Sequence, residues 1–385
     1  MMVPVGRLTM VRTFAKSELI HAMSFVAVPA LIGPMLGPVA GGLIVSFLHW
    51  RMIFFINVPI GLLGLYFIYR HLPDYREARI DQLDIVGMIL FGAGVALLSY
   101  VLEVFGEHTL SVVEILGLLA LSIVLLSGYG RHATATLHPL LRLGLFRIQT
   151  FRAAVSGGFI TRLGVGGMPF LLPLLYQVGL GYTPVQSGFL IMPQAFAAMS
   201  LKMSMPLVLM RFGYRRVLIY NTVFIGVMLV LFATIGPGTP VWLIVLQAFC
   251  FGFFSSLQYT SMNTLVYADI SESNTSMAST IASTVQQMSI SFGIAVGSLV
   301  ATLFIPDRFN SDAAQLIHGV HQAFLVLGGL TVLSTLVFRE LKNTDGDTVS
   351  QHNVIVAEGA HEMAVKSAVT TPLTVNDRSA DRESV

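Results

Sequence analysis

The chain has 385 residues, 55% of them apolar and only 11% charged, with a mean hydropathy of +0.77. Soluble domains carry roughly 25% charged residues, so this composition falls far short of a water-facing surface, and a net charge of +2 is too small to attract nucleic acid. The single cysteine, Cys250, excludes an internal disulfide and a thiolate metal centre.

In chain order, MMVPVG is too short to cross a bilayer and reads as the last turns of a helix entering from outside. No cleavable signal is expected, because Arg7 and Arg12 interrupt any apolar core there. No Asp, Glu, Lys or Arg occurs between Glu18 and Arg51, Arg216 and Asp269, Glu272 and Asp307, or Asp312 and Arg339. Each gap exceeds the roughly 20 residues that a helix needs to span a membrane. The charge-free runs and their Gly-Pro punctuation predict about ten complete spans: 20–48, 52–70, 84–103, 110–130, 152–176, 185–208, 216–235, 240–264, 276–304 and 315–338. Helix is the expected state, since lipid offers the backbone no partner and the runs lack the alternation of a barrel strand. Beyond about residue 340 the composition turns polar and predicts a disordered tail.

Basic residues orient the spans. With the first full span starting inside, fifteen Lys and Arg fall on inner segments, among them Arg7, Arg76, Arg147 and Arg215; only Arg51 and Arg308 fall outside. The expectation is a multi-pass protein of the inner cell membrane with both termini in the cytoplasm. None of the four lysines follows a glycine as in a Walker A loop, so direct ATP drive is not expected. Among the ten histidines there is no HExxH pair and no catalytic constellation, which argues against an enzyme.

Residues 29–42 read PALIGPMLGPVAGG. Gly33, Gly37 and Gly41 recur every four residues and share one helix face, while Pro34 and Pro38 each remove a backbone donor. Small residues at this spacing allow close approach of a neighbouring backbone. Spacing alone leaves open a static crossing or a seam between moving bundles.

GPMLGPVAGG, ending at Gly42, resembles motif C, GxxxGPxxGG, of drug:proton antiporters in the major facilitator superfamily. WRMIFFINVPIG follows it, with Trp50, Asn57, Pro59 and Gly61, and is similar to the entry to the next helix in the fourteen-helix EmrB/QacA-like branch. PVGRLTMVRTF before these, and GFLIMPQAFAAM, RFGYRRVL, SMNTL and QQMSISFG after them, resemble MdtD-like members. The resemblance implies an all-α polytopic membrane protein, a major facilitator fold missing about the first three to four helices and retaining about ten complete ones. Residues 1–71 would be the remainder of the N-terminal bundle and 72–150 an inserted helix pair with cytoplasmic linkers. Residues 151–340 would be the C-terminal six-helix bundle and 341–385 the tail. Motif A of the first half and its proton-coupling residues have no counterpart positions here. The implied activity is proton-coupled efflux of small amphipathic or cationic molecules by alternating access, with the proton gradient as energy source and no cofactor; a periplasmic adaptor stays open. A transporter for one metabolite or siderophore, or a non-transporting membrane protein, is the alternative. Bulky replacement at Gly37 or Gly41 is expected to abolish efflux.

RFGYRRVL is similar to the second-half echo of motif A. It predicts a tight turn at Gly213 with Arg211, Arg215 and Arg216 at the cytoplasmic face, serving as membrane anchors or as a conformational latch. Polar residues within spans are expensive to bury and are candidates for the cavity. Arg162 lies about 15 Å deeper than Arg152 at 1.5 Å per residue and belongs in the interior; Lys202 can snorkel inward. Gln194, Gln258, Asn263, Gln286 and Gln287 either line the cavity or bridge helices. Glu103 and Glu114 are expected to face water beside the outer loop of the inserted pair.

Overall fold

A computed structural model describes residue 33 and residues 36–71, 83–105, 110–136, 139–200, 205–271, 274–305 and 312–347, with backbone only at 103–105, 206 and 276. Among these residues every regular element is helical. In chain order the helices are α1 (Leu36–Phe47), α2 (Met52–His71), α3 (Ile85–Phe105), α4 (Val112–Ala135) and α5 (Gln149–Gly179), then α6 (Pro184–Ser200), α7 (Met205–Phe232), α8 (Val241–Leu265), α9 (Thr275–Phe304) and α10 (Ala313–Phe338). A short 3-10 turn, Leu143–Arg147, leads into α5. Eight are long and apolar enough to cross a membrane; α1 and α6 are shorter over the described residues. Their outward faces carry large apolar side chains, such as Leu63, Phe67, Trp242 and Leu303, as lipid contact requires and water would penalise. The chain is a multi-pass membrane protein.

Three boundaries differ from the sequence expectation. Met205–Phe212, expected largely within the sixth span at 185–208, instead forms the first part of α7, with a kink at Gly213 (φ 72°, ψ 161°). That φ lies where a Cβ meets the following carbonyl, so glycine is the residue that allows the chain to turn there. The fifth span lengthens to Gly179, because Pro173 supplies no N–H and the helix widens into a π turn over Leu174–Gly179. Residues 341–347, expected in the tail, pack on the bundle: Leu341 is buried, and Gly346, with φ 85°, lies against Tyr214.

α3 and α4 form an antiparallel hairpin that packs on α9. The Ser122 hydroxyl donates to the Gly94 carbonyl across it (2.8 Å). A capping box opens α4: Ser111 Oγ accepts from the Glu114 amide, and the Glu114 carboxylate accepts from the Ser111 amide. At the other end of the hairpin the Asp84 carboxylate, 5% exposed, joins three segments. It accepts from the Gly87 amide (2.8 Å) and the Leu140 amide (3.2 Å), and meets His132 Nε2 at 2.7 Å. These contacts, the Gly87 amide first and His132 next, hold the Asp84 carboxyl below its ordinary value against the opposing effect of burial.

α5 through α10 form one bundle, with α6 on α8, α8 on α7, α7 on α10, and α5 against α8, α9 and α10. Its apolar core is in two clusters. One lies toward the arginine-rich end around Phe151, Tyr214, Met262 and Phe338; the other surrounds Leu171, Phe232, Phe251 and Phe324. Thr161, Arg162, Asn221, Thr222, Thr331 and Ser334, all buried, lie between the two clusters along their helices, and Gln258 is buried next to Leu257 of the first. Lipid is as apolar as these cores, so association rests on close contact and polar bridges rather than on expulsion of water.

Candidate functional site

The buried polar layer separates into a structural part and an open part. Gln258 is bound on both sides: Asn221 Nδ2 donates to its Oε1 (2.9 Å) and its Nε2 donates to Thr222 Oγ1 (2.7 Å). The Thr161 and Ser334 hydroxyls meet at 2.9 Å. These pairs tie α7 to α8 and α5 to α10, while Asn221 Oδ1 is buried without a hydrogen-bond partner among the described residues. Gln258 is therefore a helix bridge.

The open part is a narrow cleft between α5, α8 and α9, with a cavity volume of about 10 Å³, room for about one water molecule. Arg162, Asn263 and Gln286 supply its polar atoms, and Val155, Met262, Val266 and Val285 much of its apolar wall. Arg162 stands 13 residues beyond Gln149, about 20 Å along the helix at 1.5 Å per residue, and is 7% exposed. Its guanidinium lies over the Tyr259 ring, 4.9 Å from the centroid. Nη2 reaches Asn263 Oδ1 at 3.5 Å, the outer limit of a hydrogen bond. No carboxylate among the described residues pairs with it. An Arg at a span centre costs about 3 kcal/mol, and a desolvated cation–π contact returns about 2 kcal/mol, so the ring offsets much of the cost.

Local packing explains how Arg162 is held. A Cβ at Gly158, one turn earlier, would sit 2.8 Å from Arg162 Nη1, so the guanidinium folds back over that glycine. On the next turn Gly166 and Gly167 meet Gly293 and Gly297 of α9 backbone to backbone; a Cβ at Gly293 would lie 2.5 Å from the Arg162 carbonyl oxygen. This contact was open to sequence reasoning, because GIAVG (Gly293 to Gly297) is a small-xxx-small pattern. Tyr259 and Met262 carried no such signal beyond their place one turn or less before Asn263.

The other candidate residues disperse. Gln286 faces the cleft while Gln287 is exposed. Gln194 is half-buried on α6, away from the cleft lining. Lys202 and Pro34 lie outside the described residues, as does the Glu103 side chain. Gly33, Gly37 and Gly41 have nothing within 4 Å of a built Cβ among the described residues. The tight crossing uses the neighbouring register: a Cβ at Gly42 would lie 2.5 Å from the Pro184 carbonyl oxygen, and one at Gly188 would lie 2.5 Å from that of Pro38. So α1 and α6 touch reciprocally through Gly42, Pro38, Pro184 and Gly188. At the start of α2, Arg51 lies over the Trp50 ring (5.4 Å) and Asn57 Nδ2 donates to the Ile53 carbonyl (3.3 Å), beside the donor that Pro59 lacks; Gly61 is open.

Of the cytoplasmic group, Arg211 and Arg216 are exposed. Arg215 Nη1 donates to Asn343 Oδ1 (2.9 Å), and Tyr214 donates to Thr264 Oγ1 (2.9 Å). Arg152 pairs with Glu340 at 3.1 Å and Gln149 donates to the Glu340 carbonyl. The segment after α10 is thereby strapped across the ends of α5 and α7.

A bundle of apolar helices with a buried polar layer and a glycine-mediated crossing is the build of a membrane carrier. Residues 1–293 match the Major Facilitator Superfamily, and the chain belongs to that family. It is 32% identical over 350 residues to "Putative multidrug resistance protein MdtD" of Escherichia coli O6:K15:H31 (strain 536 / UPEC), covering 91% of this chain and 74% of the relative. The proteins of that name in Escherichia coli O157:H7 and Shigella flexneri match to the same extent. The chain is thus a transporter-family protein rather than an enzyme.

Proposed function

We propose that the chain exports small amphipathic molecules across the inner cell membrane, in exchange for protons, by alternating access. The observation that supports this reading is the convergence of Arg162, Asn263 and Gln286, from α5, α8 and α9, on one cleft beside the core cluster at the arginine-rich end, in a chain of the transporter family. The names of the MdtD relatives support a drug-like substrate range. In this reading the α1–α6 crossing at Gly42 and Gly188 is the sliding seam between bundles, and the straps at Arg215 and Arg152 steady the cytoplasmic face in one conformation. Both termini lie in the cytoplasm, and protons, lipid and the exported compounds are the partners, with no cofactor.

The test is transport in everted vesicles from cells producing the chain. Acidifying the lumen should drive uptake of an amphipathic dye, and a protonophore should stop it. Dye uptake that matches vesicles lacking the chain, or that persists after the protonophore, overturns the corresponding part of the reading.

A further inference from the structure

None of the helices α5 through α10 contains Asp or Glu; the carboxylates of this stretch, Asp269, Glu272, Asp307, Asp312 and Glu340, all lie outside the helix bounds. Proton exchange near neutral pH needs a group that changes charge there, and imidazole is the side chain whose ordinary titration falls between pH 5 and 8. Residues 151–340 contain two histidines, His318 and His321, both on α10. His318 is exposed. His321 is half-buried, eight residues beyond Ala313 and so about 12 Å along the helix.

His321 Nε2 lies 2.8 Å from the Ile235 carbonyl oxygen. A carbonyl only accepts, so Nε2 carries hydrogen in either charge state and the second proton goes to Nδ1, which has no partner among the described residues. Ile235 lies on the turn that finishes α7; its side chain is fully buried in the cluster of Phe232 and Phe324, and no backbone amide among the described residues donates to its carbonyl. The carbonyl end of a helix favours a cation, so a proton on Nδ1 strengthens the bond that joins α10 to α7, and its loss weakens that bond. No Asp, Glu, Lys, Arg or His competes on α7 and α8 from Val217 to Ala268, or on α9 from Thr275 to Phe304. At this end of the bundle the ionisable neighbours are Tyr176 and Tyr182 on the α5 side and Asp312 and His318 on α10 itself. Arg162 lies farther along α5, and Asp307 and Arg308, ahead of α10, are outside the described residues.

We propose that His321 is the proton-carrying residue of this bundle. Nδ1 takes one proton from water at the Ala313 end of α10 and gives the same proton up when substrate binds, with no other bond made or broken. This rests on the proton-exchange reading above and names the residue that it needs. A histidine that only pairs a buried carbonyl is the structural alternative, and glutamine separates the two: its amide can donate in place of Nε2 but takes up no proton near neutral pH.

Hydrogen exchange at the imidazole C2 position, read for each histidine by mass spectrometry, is measured on the purified full chain in phosphatidylcholine nanodiscs. His321 should titrate between pH 5 and 8, and saturating ethidium should lower its midpoint by about one pH unit, a tenfold coupling. No titration in that range, or a midpoint that ethidium leaves unmoved, overturns the proposal on the wild-type chain alone. In everted vesicles His321→Gln should lose the ethidium accumulation that an acid lumen drives, while ethidium counterflow in proteoliposomes without a pH gradient is kept. His318→Gln should keep both. Driven accumulation that survives His321→Gln, or counterflow lost with it in folded protein, overturns the assignment and leaves the export reading standing. A wild type that neither accumulates nor exchanges ethidium defeats the export reading and this proposal with it, so the two failures are told apart.

Discussion

At the residue scale, function and stability both turn on single atoms. Arg162 keeps its place because position 158 has no side chain and Tyr259 offers a ring, so the least tolerant neighbour is the residue with nothing on it. Gly213 illustrates a purely conformational demand. With φ at 72°, Gly213→Ala forces a Cβ into the left-handed region, and a loss of about 1–2 kcal/mol is expected. A lowered thermal midpoint in detergent, next to an unchanged one for Phe212→Ala on the exposed side of the same turn, checks it. Arg162 and Asn263 were visible in the sequence as polar residues inside charge-free runs. Their convergence was not, because 101 positions separate them and no local period links one helix face to another.

At the scale of elements, helix ends and helix crossings carry the specific interactions. Asp84 caps α3 and holds both the end of α4 and the loop at Leu140, so Asp84→Asn is expected to loosen the hairpin at neutral pH. Because the folded state lowers the carboxyl's affinity for protons, the stabilisation is fully present above the ordinary carboxylate value. It is lost as pH falls below about 4 and through the lowered folded value. Thermal midpoints of the wild type and Asp84→Asn should differ at pH 7 and converge in acid; a constant difference would show that the carboxylate's charge is not what matters. The α5–α9 crossing makes a separate demand. Leu at Gly293 or Gly297 would drive a side chain into backbone atoms of α5, and a severe loss of folded, monodisperse protein is expected, as measured by size-exclusion chromatography in detergent. The positions of spans were legible element by element, whereas the continuation of α7 through Gly213 was not. Residues 185 to 210 carry no charge apart from Lys202, and hydropathy is blind to a backbone kink inside such a run.

At the scale of the whole molecule, the reciprocal contact of α1 with α6 joins the part of the chain before residue 71 to the bundle after residue 150. If that contact slides during transport, Gly42→Leu or Gly188→Leu should block dye export in everted vesicles while membrane insertion stays normal. Gly37→Leu, whose side chain would meet none of the described residues, should be milder. Full export by Gly42→Leu would show that the crossing is static.

The amino-acid sequence by itself determined that the chain is a membrane protein, roughly where its helices run, and, through GPMLGPVAGG and WRMIFFINVPIG, the family resemblance. Those properties are one-dimensional: hydropathy, charge spacing and short motifs survive being read along a string. Only the tertiary structure decided which glycine of motif C meets a neighbour, which glutamine bridges helices and which lines a cleft, and that Arg162 has a ring rather than a carboxylate for company. The reason is that faces of helices are matched by atomic contact, and a rotation of one residue, about 100° around the axis, exchanges a seam for open space without changing composition.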